Sequence, residues 1–506
     1  MAGRSSVRSV VFPLSLAVFF SACTVGPDFR KPKADIPPDW TEKHEHATSR
    51  DRISLAEWWR SFDDPVLDRL VDDAIGNNLS LAIAQQRIIM ARAERENAVA
   101  GWYPQINLSA TKQSRGYSGT MQWPGLPQIA YRYWDTTFDS SWELDIFGGT
   151  RRMVEAANAS ADALVEGRRA ILVSLISELA SQYAVLRASQ LRLEIVRKNE
   201  VTAQHIVDLV SKEVGQGIRS TLDLSQARAE LETIKATEPP LHAMIAMAAH
   251  AIGVLIGKPP GGTLEAELLQ PTPVLPVPPA LPVLLPAQVI ADRPDLRRVE
   301  RDYAMALAQV GVAKAQLYPR FMIPIVVQPM SSTLHQLFSA ASMTWMMGVG
   351  IAQPLFDGGR RHARLTAAQA EAEAARITYE ESVLIALREV EDALVNFSTA
   401  QERDKNLLEA QAQSQKALAQ SRTLYEHGLT GYMRVLDAQR SALAAEDAVA
   451  ISKLDRIRNT IQLYKALGGG WQNVTFNDPK IETRLLQRTG LPLGMDNPVK
   501  EEKARN

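Results

Sequence analysis

A chain of 506 residues with 56 basic and 57 acidic side chains carries a net charge of -1, so it has no overall positive field of the kind that holds nucleic acid. Only 6% of it is aromatic, and long stretches are rich in Ala, Gln, Glu, Arg and Leu, a composition that favours extended helices over a compact enzyme core. Its single cysteine excludes a framework of intramolecular disulfides.

In chain order, Arg4 and Arg8 precede an apolar run from Val10 to Phe20, which ends in Ser21-Ala22-Cys23. The run is too short to span a bilayer, and with positive charge before it and small residues behind it reads as a secretion signal over 1–22. Phe20-Ser21-Ala22-Cys23 resembles a bacterial lipobox, with Phe20 where an aliphatic residue is usual. That resemblance implies lipidation of Cys23, and Thr24 in place of Asp behind it points to the outer membrane. The segment 23–62 is then a lipidated N-terminal segment, with Trp58, Trp59 and Phe62 packing it against the body. His44-Glu45-His46 has no second cluster to complete a ligand set, so no metal is expected.

A helix is predicted behind Asp64-Pro65 and should stop before Tyr103-Pro104, since Pro suits a first helical turn and forces the residue before it into an extended form. Short alternation follows at Ile106, Leu108 and Ala110, then a loop near 116–130. From Trp134 to Ile146 the period is two: Trp134, Phe138, Trp142, Leu144 and Ile146 share one face, and Asp135, Asp139, Glu143 and Asp145 share the other. Past Gly148-Gly149 the period is helical from 150 to 214, roughly 100 Å at the helical rise. The chain reverses at Gly217 and returns as a shorter helix near 220–256.

The stretch 258–287 is rich in Pro and reads as a linker or irregular collar. "GVLIGKP" at 253–259 is not a phosphate loop, because it has three residues between its glycines and Pro259 where Ser or Thr should stand. Beyond the linker the pattern recurs. "AGWYPQI" at 100–106 matches "AQLYPRF" at 315–321, "DIFGGTRR" at 145–152 matches "PLFDGGRR" at 354–361, and "GIRSTLDLSQARAEL" at 217–231 matches "GLTGYMRVLDAQRSAL" from Gly428. The landmarks keep their order at offsets of 209 to 215 residues, so the chain reads as two copies of one unit, 63–257 and 288–467, followed by a tail over 468–506. The second copy has its own helix after Pro294, two strands joined by a loop near 328–342, a long helix from Arg360 to His427 and a return near 432–467.

Four strands per chain cannot close a membrane barrel, whose edges must all be paired. Three protomers would supply twelve strands, with the long helices projecting from one side. The fold class expected is therefore an α+β membrane protein, a trimeric 12-stranded transmembrane β-barrel continuous with a long α-helical barrel. If the acidic strand face lines a lumen, Asp135, Asp139, Glu143 and Asp145 form rings favouring cations; unselective solvated polar residues explain the pattern equally well. Arg151-Arg152 and Arg360-Arg361 mark the strand-to-helix transitions, near lipid headgroups or simply solvating the helix starts. Met305, Met322, Met330, Met343, Met346 and Met347 suit packing or lipid contact better than soft-metal export.

"AEWWRSFDDPVLDRLVDDAIGNNLSLAIA" (56–84), "RPDLRRVERD" (293–302), "PLFDGGRR" and "YMRVLDAQRSAL" together resemble the outer-membrane lipoprotein channels of tripartite efflux pumps, the TolC/OprM/NodT-like family. The resemblance covers roughly Pro27 to Gly468. It implies a homotrimer in outer-membrane lipid with a large periplasmic part, joined through a periplasmic adaptor to an inner-membrane transporter of the resistance-nodulation-division type. It implies a passive duct for small molecules, with no catalysis and no cofactor; the outer conduit of a one-step (type I) protein secretion system is the alternative. It also implies a closable periplasmic tip at the second hairpin. Carried over by position, the gate falls on Met433, Asp437 and Arg440, with Arg434 adding a charge where a small polar residue is common. The first hairpin keeps Arg228 but has Ser225 where the second has Asp437.

Overall fold

The computed structural model describes residues 24–33, 35–41, 55–116, 130–270, 276 and 286–476. The expected signal peptide, Cys23, His44-Glu45-His46 and most of the tail lie outside the described residues.

The first half of the body opens with α1 (Pro65–Asn77), whose Pro occupies the first turn and whose orphan donors, Val66 N and Leu67 N, are taken by the Asp64 carboxylate at 2.8 and 3.1 Å. Asn78 caps α2 (Leu79–Ala100) through Leu81 N at 3.1 Å. After the Tyr-Pro come β1 (Gln105–Gly116) and β2 (Ala130–Leu144), then the 67-residue α3 (Gly149–Gly215). The return is not one helix as the sequence suggests but two, α4 (Thr221–Lys235) and α5 (Glu238–Leu255). Pro239 and Pro240 account for the break: they lack N–H groups and are tolerated only in a first turn, so a new helix begins there. The Pro-rich stretch holds the short helices α6 (Gly262–Leu268) and, at its end, α7 (Pro286–Asp292).

The second half runs through α8 (Pro294–Ala315), β3 (Arg320–Ser331), β4 (Met343–Met347), β5 (Gly350–Ala352), α9 (Arg360–Glu426) and α10 (Tyr432–Ala466). The expected fourth strand is thus in two pieces. Gly348 sits between them and donates its N–H to Pro324 O at 3.2 Å, so a glycine-rich strand meets a proline that has no donor to offer. The sheet is antiparallel in the order β1-β2-β3-β4, with β5 also on β3. Among the described strands β1 pairs only with β2, and β4 and β5 only with β3, so both edges of the sheet are open.

Register sorts the faces. Phe138 lies opposite Val327 and Val327 opposite Trp345, while Asp139 lies opposite Val326 and Asn107. Trp345, Met347 and Ile351 are 74%, 67% and 65% exposed, so the apolar face has no cover within the protomer.

Midway along the helices Trp58 is fully buried, stacked on Tyr464 at 5.1 Å with Trp59 and Phe62 edge-on, as expected for an N-terminal segment held to the body. Arg293, also buried, donates to Asp295, to Glu389 and to Ala466 O, tying the start of α8 to α9 and the end of α10. Residues 24–33 and 35–41 form a strap that runs along α8 and onto α9. Phe29 meets Tyr303 edge-on, Lys31 pairs with Glu300 at 2.9 Å, Ile36 packs on Leu296 and its neighbours, and Thr41 N reaches Glu391 at 2.8 Å.

Candidate functional site

Three regions carry the residues of interest: the polar strand face, the strand-to-helix junctions and the hairpin tips. On the strand face Asp135 accepts from Gln328 Nε2 at 2.9 Å and Thr137 Oγ1 at 3.3 Å, and Asp139 accepts from Asn107 Nδ2 at 3.0 Å. Glu143 lies 4.0 Å from the Arg320 guanidinium. Asp145 does not belong with them. β2 ends at Leu144, and the Asp145 carboxylate accepts from Thr150 N and Arg151 N, both at 2.9 Å, and from Arg151 Nε at 3.2 Å. It therefore satisfies orphan donors at the start of α3 and sets negative charge on the positive end of the helix, a better use of a carboxylate than a place in an acidic row.

The second junction repeats this role with a differently placed residue. Asp357 accepts from Gly359 N at 3.0 Å and Arg361 N at 3.3 Å, with Arg361 Nε at 3.5 Å. At the first junction Arg152 turns inward instead of toward headgroups or solvent. Its guanidinium, in a residue only 4% exposed, donates to Val25 O at 3.1 Å, Gly26 O at 3.3 Å, and the carboxylates of Asp28 and Glu155, both at 2.7 Å. Arg151 reaches Thr24 Oγ1 at 3.1 Å, and Val25 N donates to Phe147 O at 3.1 Å. Gly26 is required: its φ is +104°, and a Cβ there would lie 2.5 Å from Gly311 Cα. The residues directly behind Cys23 are thus held at the junction of β2 and α3.

At the tips both long helices end in the same way. Gly217 and Gly428, at φ +72° and +71°, let Ile218 N close on Glu213 O at 2.9 Å and Leu429 N on Leu424 O at 2.8 Å. Met433, Arg434, Asp437 and Arg440 are all exposed on α10, Met433 by 45%. Asp437 and Arg440, three apart on the helix, do not pair with each other; Asp437 has no ion pair among the described residues. Arg440 Nε instead crosses to α4 and donates to the buried carboxylate of Glu230 at 2.7 Å. A second link lies nearer the turns, where Tyr425 donates to Glu213 Oε2 at 3.2 Å and the Arg219 guanidinium sits 4.4 Å above the Tyr425 ring. Burial first, and then the charges of Glu213 and Glu230, push the Tyr425 and Tyr432 phenols up to about 12, so both stay protonated near neutral pH. Sequence reading missed Glu213, Arg219, Glu230, Tyr425 and Tyr432, because their partners lie on other helices and no local spacing announces them.

Two hairpins, each led by a 67-residue helix, and an open sheet with an uncovered apolar face set the comparison with known proteins. The outer membrane efflux protein family matches residues 70–258 and 285–469, most of the chain. The chain belongs to that family. It is an outer-membrane channel protein with a large periplasmic helical part. Among its relatives, the cation efflux system protein CusC of Escherichia coli O6:H1 is 29% identical over 467 residues, covering 91% of this chain and 99% of that protein. Nodulation protein T of Rhizobium leguminosarum bv. viciae is 31% identical over 470 residues, covering 92% and 93%. Of solved structures, the outer-membrane channel OprN superposes with a TM-score of 0.82 at 34% identity, over 89% of this chain and all of that one. The open-state MtrE channel of Neisseria gonorrhoeae gives 0.79 at 26% identity, over 90% and 100%.

Proposed function

We propose that three copies of this efflux channel close a 12-stranded barrel through the outer membrane, continuous with a helical barrel below it, and that the assembly is a passive duct for small molecules. The observation that carries this reading is the sheet with two open edges and one uncovered apolar face. A bilayer tolerates no unpaired edge, and four strands are too few to close. Each chain would be two copies of one helix-strand-strand-helix-helix unit. Transport energy would come from an inner-membrane transporter, reached through a periplasmic adaptor, as in tripartite efflux systems. Asp135, Asp139 and Glu143 would face the lumen.

The closable tip is proposed at the second hairpin, with Met433 narrowing the passage, Arg434 and Asp437 exposed toward neighbouring copies, and Arg440 holding α10 to α4 through Glu230. Purified protein should run as a heat-modifiable trimer in native detergent. In planar bilayers, Asp437→Ala combined with Arg440→Ala should raise the conductance several-fold, and Arg440→Ala alone should produce most of the rise. Unchanged conductance in the double variant would count against the gate, and a monomer at all temperatures against the barrel.

A further inference from the structure

The break between α4 and α5 leaves a notch over α3, bounded on the far side by α10. It encloses about 500 Å³, within the usual range for a small-molecule site. Its floor is apolar: Ile195 and Val196 of α3, Leu241 and Met244 of α5, and Leu443 of α10. Its rim carries two ion pairs, Arg192 with Asp447 at 2.6 Å and Arg440 with Glu230 at 2.7 Å. The two arginines differ. Arg192 is engaged through both Nε and a terminal nitrogen, whereas Arg440 uses only Nε, so its terminal nitrogens make no hydrogen bond among the described residues. The notch lies where Pro239 and Pro240 break the return; α10, the corresponding return, runs 35 residues without interruption.

An apolar floor with a half-used guanidinium at its edge has a definite complement. We propose that this notch binds an amphipathic anion, its apolar body against Leu241, Met244 and Leu443 and its single anionic head on the terminal nitrogens of Arg440. Planar guanidinium edges pair well with oxyanions, and the head can dock without displacing Glu230 from Nε. The bound molecule bridges α5 and α10 beside the pair that ties the second hairpin to the first. Its effect on the tip rests on the proposed gate; its binding does not.

Equilibrium dialysis of the full-length protein in zwitterionic nanodiscs tests this, with naphthalene-2-sulfonate as the probe and the neutral naphthalene-2-sulfonamide as its counterpart. One sulfonate should bind per protomer, and the sulfonamide about tenfold more weakly, as should the sulfonate to Arg440→Gln. Met244→Trp, which fills the floor, should abolish binding, while Arg228→Gln, on α4 but outside the notch, should leave it unchanged. Equal affinity for the two probes overturns the proposal, as does binding indifferent to Arg440→Gln, or lowered as much by Arg228→Gln. The same probe is then added to channels in planar bilayers, where it should lower the conductance. Confirmed binding with unchanged conductance would leave the site standing and remove its link to the gate.

Discussion

The two places where a strand hands over to a 67-residue helix differ in what covers them. At the first, Phe147 stacks on Tyr318 at 4.6 Å and the strap behind Thr24 is clamped by Arg152. At the second, the matching Phe356 is 91% exposed and Leu355 beside it 96%. The same contrast runs down the helices: of 67 residues each, α3 buries 27 and α9 only 10. The reason is position. α3 is flanked within the protomer by α2, α8 and α10 besides its own return, while among the described residues α9 packs mainly on α8 and α10. Pieces so alike in sequence and so unlike in burial teach that the second junction lacks, within the protomer, the cover that the first one has. The partner that completes it is proposed to be the first half of another copy.

The largest expected effect separates the junctions within one chain. Arg152→Ala strands the carbonyls of Val25 and Gly26 without their donor and releases the strap, so it should cost about 3 kcal/mol. Arg361→Ala removes only a pair with Asp357 and should cost under about 1 kcal/mol. Unfolding midpoints measure the difference, and protease cleavage within 24–41 should rise only in the first variant. Equal losses would erase the distinction between the junctions.

A somewhat smaller effect tests the missing cover. If the second junction is completed as the first is, Phe356 stacks on Tyr103 of a neighbouring copy, since Tyr103-Pro104 corresponds to Tyr318-Pro319. Tyr103 is 42% exposed and Phe356 91%, so both rings have free surface for such a contact. Phe147→Ala and Phe356→Ala should then each lower trimer stability by about 2 kcal/mol, the usual scale for a half-buried aromatic. Tyr103→Cys with Phe356→Cys in one chain should cross-link protomers into a covalent trimer on oxidation. A Phe356→Ala trimer as stable as the original would mean that this surface stays bare.

How far these features were legible in the sequence follows from the range of the forces involved. Elements set by local geometry could be read directly: the Tyr-Pro stops at Pro104 and Pro319, the period of two through Trp134 and Phe138, and the turns at Gly217 and Gly428, where positive φ needs glycine. The interruptions at Thr237 and Gly348 were present as Pro239-Pro240 and a glycine-rich strand, but a helical or alternating pattern running through them hid the break. What could not be read were pairings between distant segments. Arg440 stands beside Asp437 in sequence and chooses Glu230, 210 residues away, because that carboxylate is buried and costs more to leave unpaired than an exposed one. Arg152 looked like a solvated helix start, and only the strap lying on it reveals its role. Asp145 fell on the polar parity of the strand by one residue, although the strand had already ended.

The smallest effect asks whether the junctions agree at the one point where they look alike. Asp145 and Asp357 stand at different distances from the glycine pair, yet each accepts two backbone N–H groups at a helix start and faces one arginine Nε, hydrogen-bonded to Asp145 at 3.2 Å and in ion-pair contact with Asp357 at 3.5 Å. A carboxylate there satisfies orphan donors and meets the positive end of the helix, together worth about 1 kcal/mol. Asp145→Asn and Asp357→Asn keep an acceptor and lose the charge, so each should lower stability by roughly half of that. The Ala variants should lose all of it, and a few degrees in the melting midpoint would register the difference. If Asp145→Asn instead shifted the cation preference of the channel while Asp357→Asn did not, Asp145 would rejoin Asp135 and Asp139 as part of the wall, and the likeness between the two junctions would be one of sequence alone.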